Sequence, residues 1–178
     1  MNLVPGRAGR YAVPILLSIL LLALLPVFTA AANPLPAPSG PVILTIEGGI
    51  AHSNTADGKA ALDLAMLESL PARTIETTTP WTEGPQTFTG VLLADLLAHV
   101  GASGDRLHAI ASNDYEVTFP AGDVTDYGGI LAYQQNGAAL PSDKGPLWIV
   151  YDYDSDPQLL GDRFQSASIW NLVTLAVR

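Results

Sequence analysis

Asp152, Asp154 and Asp156 alternate along the chain, and their spacing is the first that suggests chemistry. Alternate carboxylates open a calcium loop, where they turn several oxygens towards one hard cation. Here the pattern breaks, because Pro157 stands where the loop needs glycine and Arg163 where it needs the closing glutamate. The segment therefore reads as a solvated acidic loop beside a strand end. His52, His99 and His108 lack ligand spacing, and zinc needs at least three converging ligands, so no metal site is expected. His99 falls near a helix C-terminus, where the partial negative charge suits it. Serine hydrolysis would need a serine on a strained turn with a base beside it. No Gly-x-Ser-x-Gly occurs, and Ser112 has no evident base. Gly48-Gly49 and Gly128-Gly129 are isolated pairs and not a phosphate loop. Glu76 and Glu83 bracket Trp81 and could form an acid/base pair, but they read as two exposed glutamates. The chain has no cysteine. It therefore offers no thiolate metal ligand, no sulfur nucleophile and no disulfide. No catalytic residue is assigned.

The tryptophans remain. Trp81 sits in Pro80-Trp81-Thr82-Glu83-Gly84-Pro85, a loop where packing needs a large aromatic least, which makes it the best candidate for a ligand or partner contact, with a packing role as the equal alternative. Trp148 and Trp170 fall in apolar strands and read as core.

The elements that must position Trp81 form the stretch Thr74–Leu97. A β-branched run, Arg73–Thr79, enters the loop, and Phe88-Thr89-Gly90 leads out into an amphipathic helix. Leu92, Leu93, Leu96, Leu97 and Val100 share one face of that helix at i, i+3, i+4 spacing, and Gly101 stops it. Upstream, Val42–Ile46 reads as a strand and Ser53–Lys59 as a turn. Asp63 caps a short helix with Leu64, Met66, Leu67 and Leu70 as its apolar positions, and Pro71 ends it. Downstream the signals are β-type. Leu107–Ala111 and Glu116–Phe119 flank a turn at Ser112–Tyr115, and Ile130–Gln135 and Leu140 flank Asn136-Gly137, the strongest hairpin signal in the chain. Leu147–Tyr151 is an apolar strand, 152–165 a loop, and Ile169–Val177 a closing strand. The sum is a β-rich α+β domain with mixed sheets and two or three short helices.

Of the 178 residues, 1–32 read as a signal peptide. Arg7 and Arg10 are its positive end, Ala12–Leu25 its apolar stretch and Ala30-Ala31-Ala32 its cleavage site. Residues 33–41 read as a proline-rich linker and 42–178 as the domain. A periplasmic or secreted protein is expected, with membrane contact only through an uncleaved leader. All seventeen acidic residues lie beyond Asn33, whereas Arg7 and Arg10 belong to the leader's share of the eight basic ones. So acidic a surface repels phosphate backbones, which excludes nucleic acid as a partner.

Phe88-Thr89-Gly90 with Val91-Leu92-Leu93-Ala94-Asp95-Leu96-Leu97, then Ser112-Asn113-Asp114-Tyr115 with Phe119-Pro120, then Ile130-Leu131-Ala132, Asn136-Gly137, Leu140 and Gly145-Pro146-Leu147 occur in an order that is informative as a set. In that order they resemble the molybdopterin-binding domain of the sulfite oxidase family, over roughly Val42 to Val177. The resemblance implies that fold and an oxidoreductase activity with a molybdopterin cofactor. It also implies a cysteine metal ligand just upstream of the aromatic-x-Gly segment, where this chain has Thr77 and Thr78. A neutral hydroxyl is a poor substitute for a soft thiolate. The arginine expected near Leu147 is Trp148, and the basic residue expected before the late tryptophan is Ile169, so a pterin phosphate loses its cations. Arg7 and Arg10 are separated by Ala8-Gly9, so the leader lacks the twin-arginine signal of exported, cofactor-loaded relatives.

The resemblance places the emptied pocket at Thr77, Thr78, Trp81, Asn113, Asp114, Tyr115 and Lys144. The expected function is a cofactor-free binding or sensing module. Its partner is a small molecule or a membrane or periplasmic protein. The alternative is an oxidoreductase that keeps a molybdopterin.

Overall fold

The protein, described here at residues 1–2 and 35–178 of a computed structural model, is built on two five-stranded sheets. Residues 3–32 of the expected leader lie outside the described residues. Strand β1 (Val42–Gly48) is followed by β2 (Ala60–Asp63), helix α1 (Leu64–Glu68), β3 (Ala72–Thr77) and β4 (Gln86–Leu92). Helix α2 (Leu93–His99), β5 (Arg106–Ala111), β6 (Glu116–Pro120) and α3 (Gly122–Thr125) come next. The chain ends with β7 (Ile130–Gln135), β8 (Ala138–Ala139), β9 (Trp148–Val150), α4 (Asp162–Ala167) and β10 (Leu172–Val177).

The first sheet runs β2-β1-β10-β5-β6. The C-terminal β10 is inserted between β1 and β5, parallel to β1, with Thr45 opposite Thr174, and antiparallel to β5. The second sheet runs β3-β4-β7-β8, and β9 pairs with β7 at Ile130–Ala132. This is the mixed, β-rich α+β architecture read from the sequence. Among the described residues four short α-helices form, however, rather than two or three, and Pro157–Leu160 adds a 3-10 turn. The 152–165 segment is thus not a plain loop. Asp156 caps the 3-10 turn by accepting from the Gln158 amide at 2.8 Å, and α4 follows. Its six residues are too few for a helical period to show.

Two further corrections concern strands. The run through Phe88-Thr89-Gly90 is not a lead-in to the helix but a full strand, and Leu92 ends that strand instead of joining the helix face. Gly90 is the reason the strand fits. A bulge shifts the β4–β7 register at Thr89/Gly90, and a Cβ at Gly90 would lie 2.1 Å from the Leu131 carbonyl oxygen. The last strand begins at Leu172 and not Ile169, which frees Ile169 and Trp170 for another role. The Asn136-Gly137 turn forms as read, with both residues at positive φ (52° and 77°), the two-residue geometry that matches strand twist.

Side chains alternate across a strand, so the second sheet has two packed faces. Val91, Leu131 and Ile149 face the main core, which they share with Leu44 and Ile46 of β1 and with Leu93 and Leu96 of α2. Ile75, Phe88, Ile130, Ala132, Trp148 and Val150 form a second, smaller cluster. In α1 only Leu67 is buried, whereas Leu64 is exposed. Asp63 caps that helix as expected, accepting from the Met66 amide at 2.9 Å. It also accepts from the Ser39 and Gly40 amides at 2.6 and 2.7 Å. These bonds, the Met66 one foremost, hold its carboxyl below the usual range. The part of the proline-rich linker within the described residues is therefore docked: Leu35 is buried, and its amide donates to the Ser53 carbonyl. Among the described residues no helix is long and apolar enough to cross a membrane.

Candidate ligand pocket

Three segments converge beside the smaller cluster: the β3–β4 loop, the β5–β6 turn and the end of α4 with the residues that follow it. Between them lies a pocket of about 320 Å³, lined by Trp81, Asn113, Tyr115, Gln165, Ser166, Ser168, Ile169 and Trp170. Each wall has a local cause. In the turn, Asn113 Oδ1 accepts from the Tyr115 amide at 3.2 Å, an Asx turn of the kind asparagine favours. Asp114 takes φ 64° there. Tyr115 is then carried across to donate its hydroxyl to the Ser166 carbonyl at 3.4 Å. In the loop, Thr79 Oγ1 accepts from the Trp81 amide at 3.2 Å and pairs with the Thr82 hydroxyl at 2.9 Å.

The Trp81 ring stands edge-on to three others: Trp170 at 5.5 Å, Trp148 at 6.0 Å and Tyr153 at 6.1 Å between centroids. Such contacts are favoured by the ring quadrupoles. Trp148 is fully buried and donates its indole N–H to the Ser168 carbonyl at 3.2 Å. The Lys144 ammonium lies 6.0 Å over Trp148 and 5.9 Å over Trp170 and pairs with Asp143 at 2.6 Å. Tyr153 and Ser168 share a 2.5 Å hydrogen bond. Burial pushes the Tyr153 phenol up to about 12 and the Tyr151 phenol up as well, so both stay protonated at neutral pH. No residue that lines the pocket carries a charge.

The seven residues expected to form the site divide into three groups. Trp81, Asn113 and Tyr115 line the pocket. Asp114 belongs to the same turn without lining it, and Lys144 sits against the indoles Trp148 and Trp170. Thr77 and Thr78 do not line it. Thr77 is fully buried, its hydroxyl donating to the Thr78 carbonyl at 3.1 Å and accepting from the Asp154 amide at 3.2 Å. Thr78 donates its amide and hydroxyl to the two Asp154 carboxylate oxygens at 2.7 and 2.5 Å. Gln165, Ser166, Ser168, Ile169 and Trp170 were missed, because Ile169 and Trp170 read as the start of the last strand. Of the alternating aspartates, Asp154 and Asp156 accept from the chain itself. Among the described residues no group of three His, Asp or Glu side chains could hold a metal ion.

These residues do not fit a molybdenum-bearing pterin held in the way the resemblance implies. The hydroxyls where a thiolate would stand are both engaged in hydrogen bonds, and the pocket's lining offers a phosphate no Lys or Arg. Trp148 and Ile169, in place of the expected cations, are buried.

No curated protein matches the sequence. Among solved structures, the sulfane dehydrogenase SoxCD from Paracoccus pantotrophus has a similar fold, with a TM-score of 0.55 and 20% identity over 75% of this chain. The chain spans 37% of that protein's length. Residues 56–151, more than half of the chain, match the oxidoreductase molybdopterin binding domain. The chain belongs to that family.

Proposed function

We propose that this domain holds no molybdenum and binds a small, uncharged, planar molecule in the pocket between Trp81, Trp170 and Tyr115, as an exported binding or sensing module. The observation that carries this reading is the lining, three aromatic rings among neutral polar groups. Indole and phenol faces favour a flat ligand, and an uncharged wall gives a charged one nothing to offset its desolvation. Asn113 uses Oδ1 in its turn, and Gln165 uses Nε2 on the Leu160 carbonyl at 2.6 Å. The Asn113 amide nitrogen and the Gln165 carbonyl oxygen are then a donor and an acceptor for a heteroaromatic edge. Presentation of the bound molecule to a membrane or periplasmic protein is the role this reading gives the domain.

A second reading, a pterin-dependent oxidoreductase, is favoured by the family match over residues 56–151. One titration separates the two. Lumazine, a neutral bicyclic heteroaromatic, should quench the tryptophan fluorescence to saturation. Trp81→Ala should weaken its binding about tenfold, the scale of one lost stacking contact. A phosphorylated pterin should bind no tighter than its unphosphorylated counterpart. Much tighter binding of the phosphorylated form, or lumazine binding that ignores Trp81, would refute the proposal.

A further inference from the structure

Asp154 lies outside the pocket, yet it joins two of the connections that build it. Its Oδ2 accepts from the Thr78 amide at 2.7 Å, its Oδ1 accepts from the Thr78 hydroxyl at 2.5 Å, and its own amide donates to Thr77 Oγ1 at 3.2 Å. Residues 77 and 154 are far apart in sequence, so these bonds tie the start of the Trp81 loop to the segment that runs on through the 3-10 turn and α4. That segment delivers Gln165 and Trp170 to the opposite wall. A carboxylate that accepts with both oxygens from one residue fixes orientation as well as distance. Inside the loop, the Thr79 hydroxyl carries the constraint on to the Trp81 amide.

We infer that Asp154 is a positioning residue of the pocket, whose carboxylate sets the Trp81 indole against Trp170 by fastening the loop at Thr78. The significance for binding rests on the proposed ligand reading; the placement of the indole does not. The main alternative for Asp154 is cation binding, which its spacing with Asp152 and Asp156 suggests. Both of its oxygens are turned to Thr78 instead. The Thr78 hydroxyl, and next its amide, hold the Asp154 carboxyl below the usual range, so it is ionised and an acceptor at neutral pH. A residue with a merely structural role would leave Trp81 in place through its packing on Trp148, Trp170 and Tyr153.

The test uses the full chain and compares Asp154→Ala, Asp154→Asn and Thr78→Val with Trp81→Phe. The near-ultraviolet circular dichroism of the indole cluster reports the placement of Trp81, and lumazine titration reports the pocket. Asp154→Ala should lose most of the signal that Trp81→Phe removes and should weaken lumazine about tenfold, as expected when a wall residue is no longer held. Asp154→Asn should retain both, because an amide can accept from the Thr78 N–H and donate to its hydroxyl. Thr78→Val, which removes only the hydroxyl bond, should fall between and serves if Asp154→Ala does not fold. An unchanged near-ultraviolet spectrum in Asp154→Ala, with only a lower melting temperature, would overturn the inference. So would a failure of Asp154→Asn to rescue. If the spectrum changes as stated while the unmutated protein does not bind lumazine, the positioning role stands and the pocket reading falls.

Discussion

The two faces of the second sheet are packed by opposite means. Towards the first sheet, Val91, Leu131 and Ile149 meet Leu44, Ile46, Leu93 and Leu96, residues of regular elements that exclude water entirely. On the other face, Phe88 and Trp148 are covered by Trp81 and Trp170, which are only partly buried and belong to connections. Aliphatic packing between elements closes the first face. Aromatic packing under loops leaves the second one open enough for a pocket. One sheet thus separates the part that holds the fold from the part that carries the candidate pocket, a division common where binding residues ride on loops above a rigid scaffold.

That contrast can be broken from either side. The largest effect should come from Gly90→Ala, because the added Cβ would meet the Leu131 carbonyl oxygen at 2.1 Å in the strand that serves both faces. A loss of more than about 3 kcal/mol is expected, beyond ordinary overpacking, and denaturant unfolding would measure it. Leu96→Ala, confined to the closed face, should cost about 2–5 kcal/mol and leave lumazine binding unchanged in the protein that remains folded. A joint loss of stability and binding would show that the faces are not independent.

Tyr153 belongs to the main core, packs on Trp81 and hydrogen-bonds Ser168, and alkali should find it. Burial raises its phenol to about 12, so folding favours the protonated form. That contribution is complete below pH 10 and is lost as the pH rises through the folded value. The loss should approach about 3 kcal/mol, and Tyr153→Phe should remove this part of the alkaline transition. Trp81→Ala is expected to have the smallest effect on stability, about 1 kcal/mol, since the ring is partly exposed. It should nevertheless weaken lumazine binding about tenfold, where Leu96→Ala leaves it unchanged.

How much of this is legible without coordinates follows the same division. Strands with alternating or β-branched runs, the Asn136-Gly137 hairpin and the Asp63 cap could be read, because their signals are local. The α2 face could be read at Leu93, Leu96 and Leu97 for the same reason. β4 could not, since its Gly90 looks like a strand breaker until the bulge against Leu131 is seen. In the pocket, Trp81, Asn113 and Tyr115 stand out as a lone loop aromatic and a turn cluster. Trp170 did not, because Ile169-Trp170 continues smoothly into the apolar β10, and only the paired register shows that the strand starts at Leu172. Asp154 was visible as one of three alternating carboxylates, but its partner Thr78 is joined to it by the fold alone.

The central claim concerns the two hydroxyls where the family's enzymes are expected to present sulfur. It is tested most directly by the molybdenum content of the protein purified from its native host, measured by mass spectrometry against protein concentration. Thr77 and Thr78, committed to Asp154, predict a colourless protein with molybdenum far below stoichiometric. A stoichiometric amount that survives gel filtration with the chain would contradict the account.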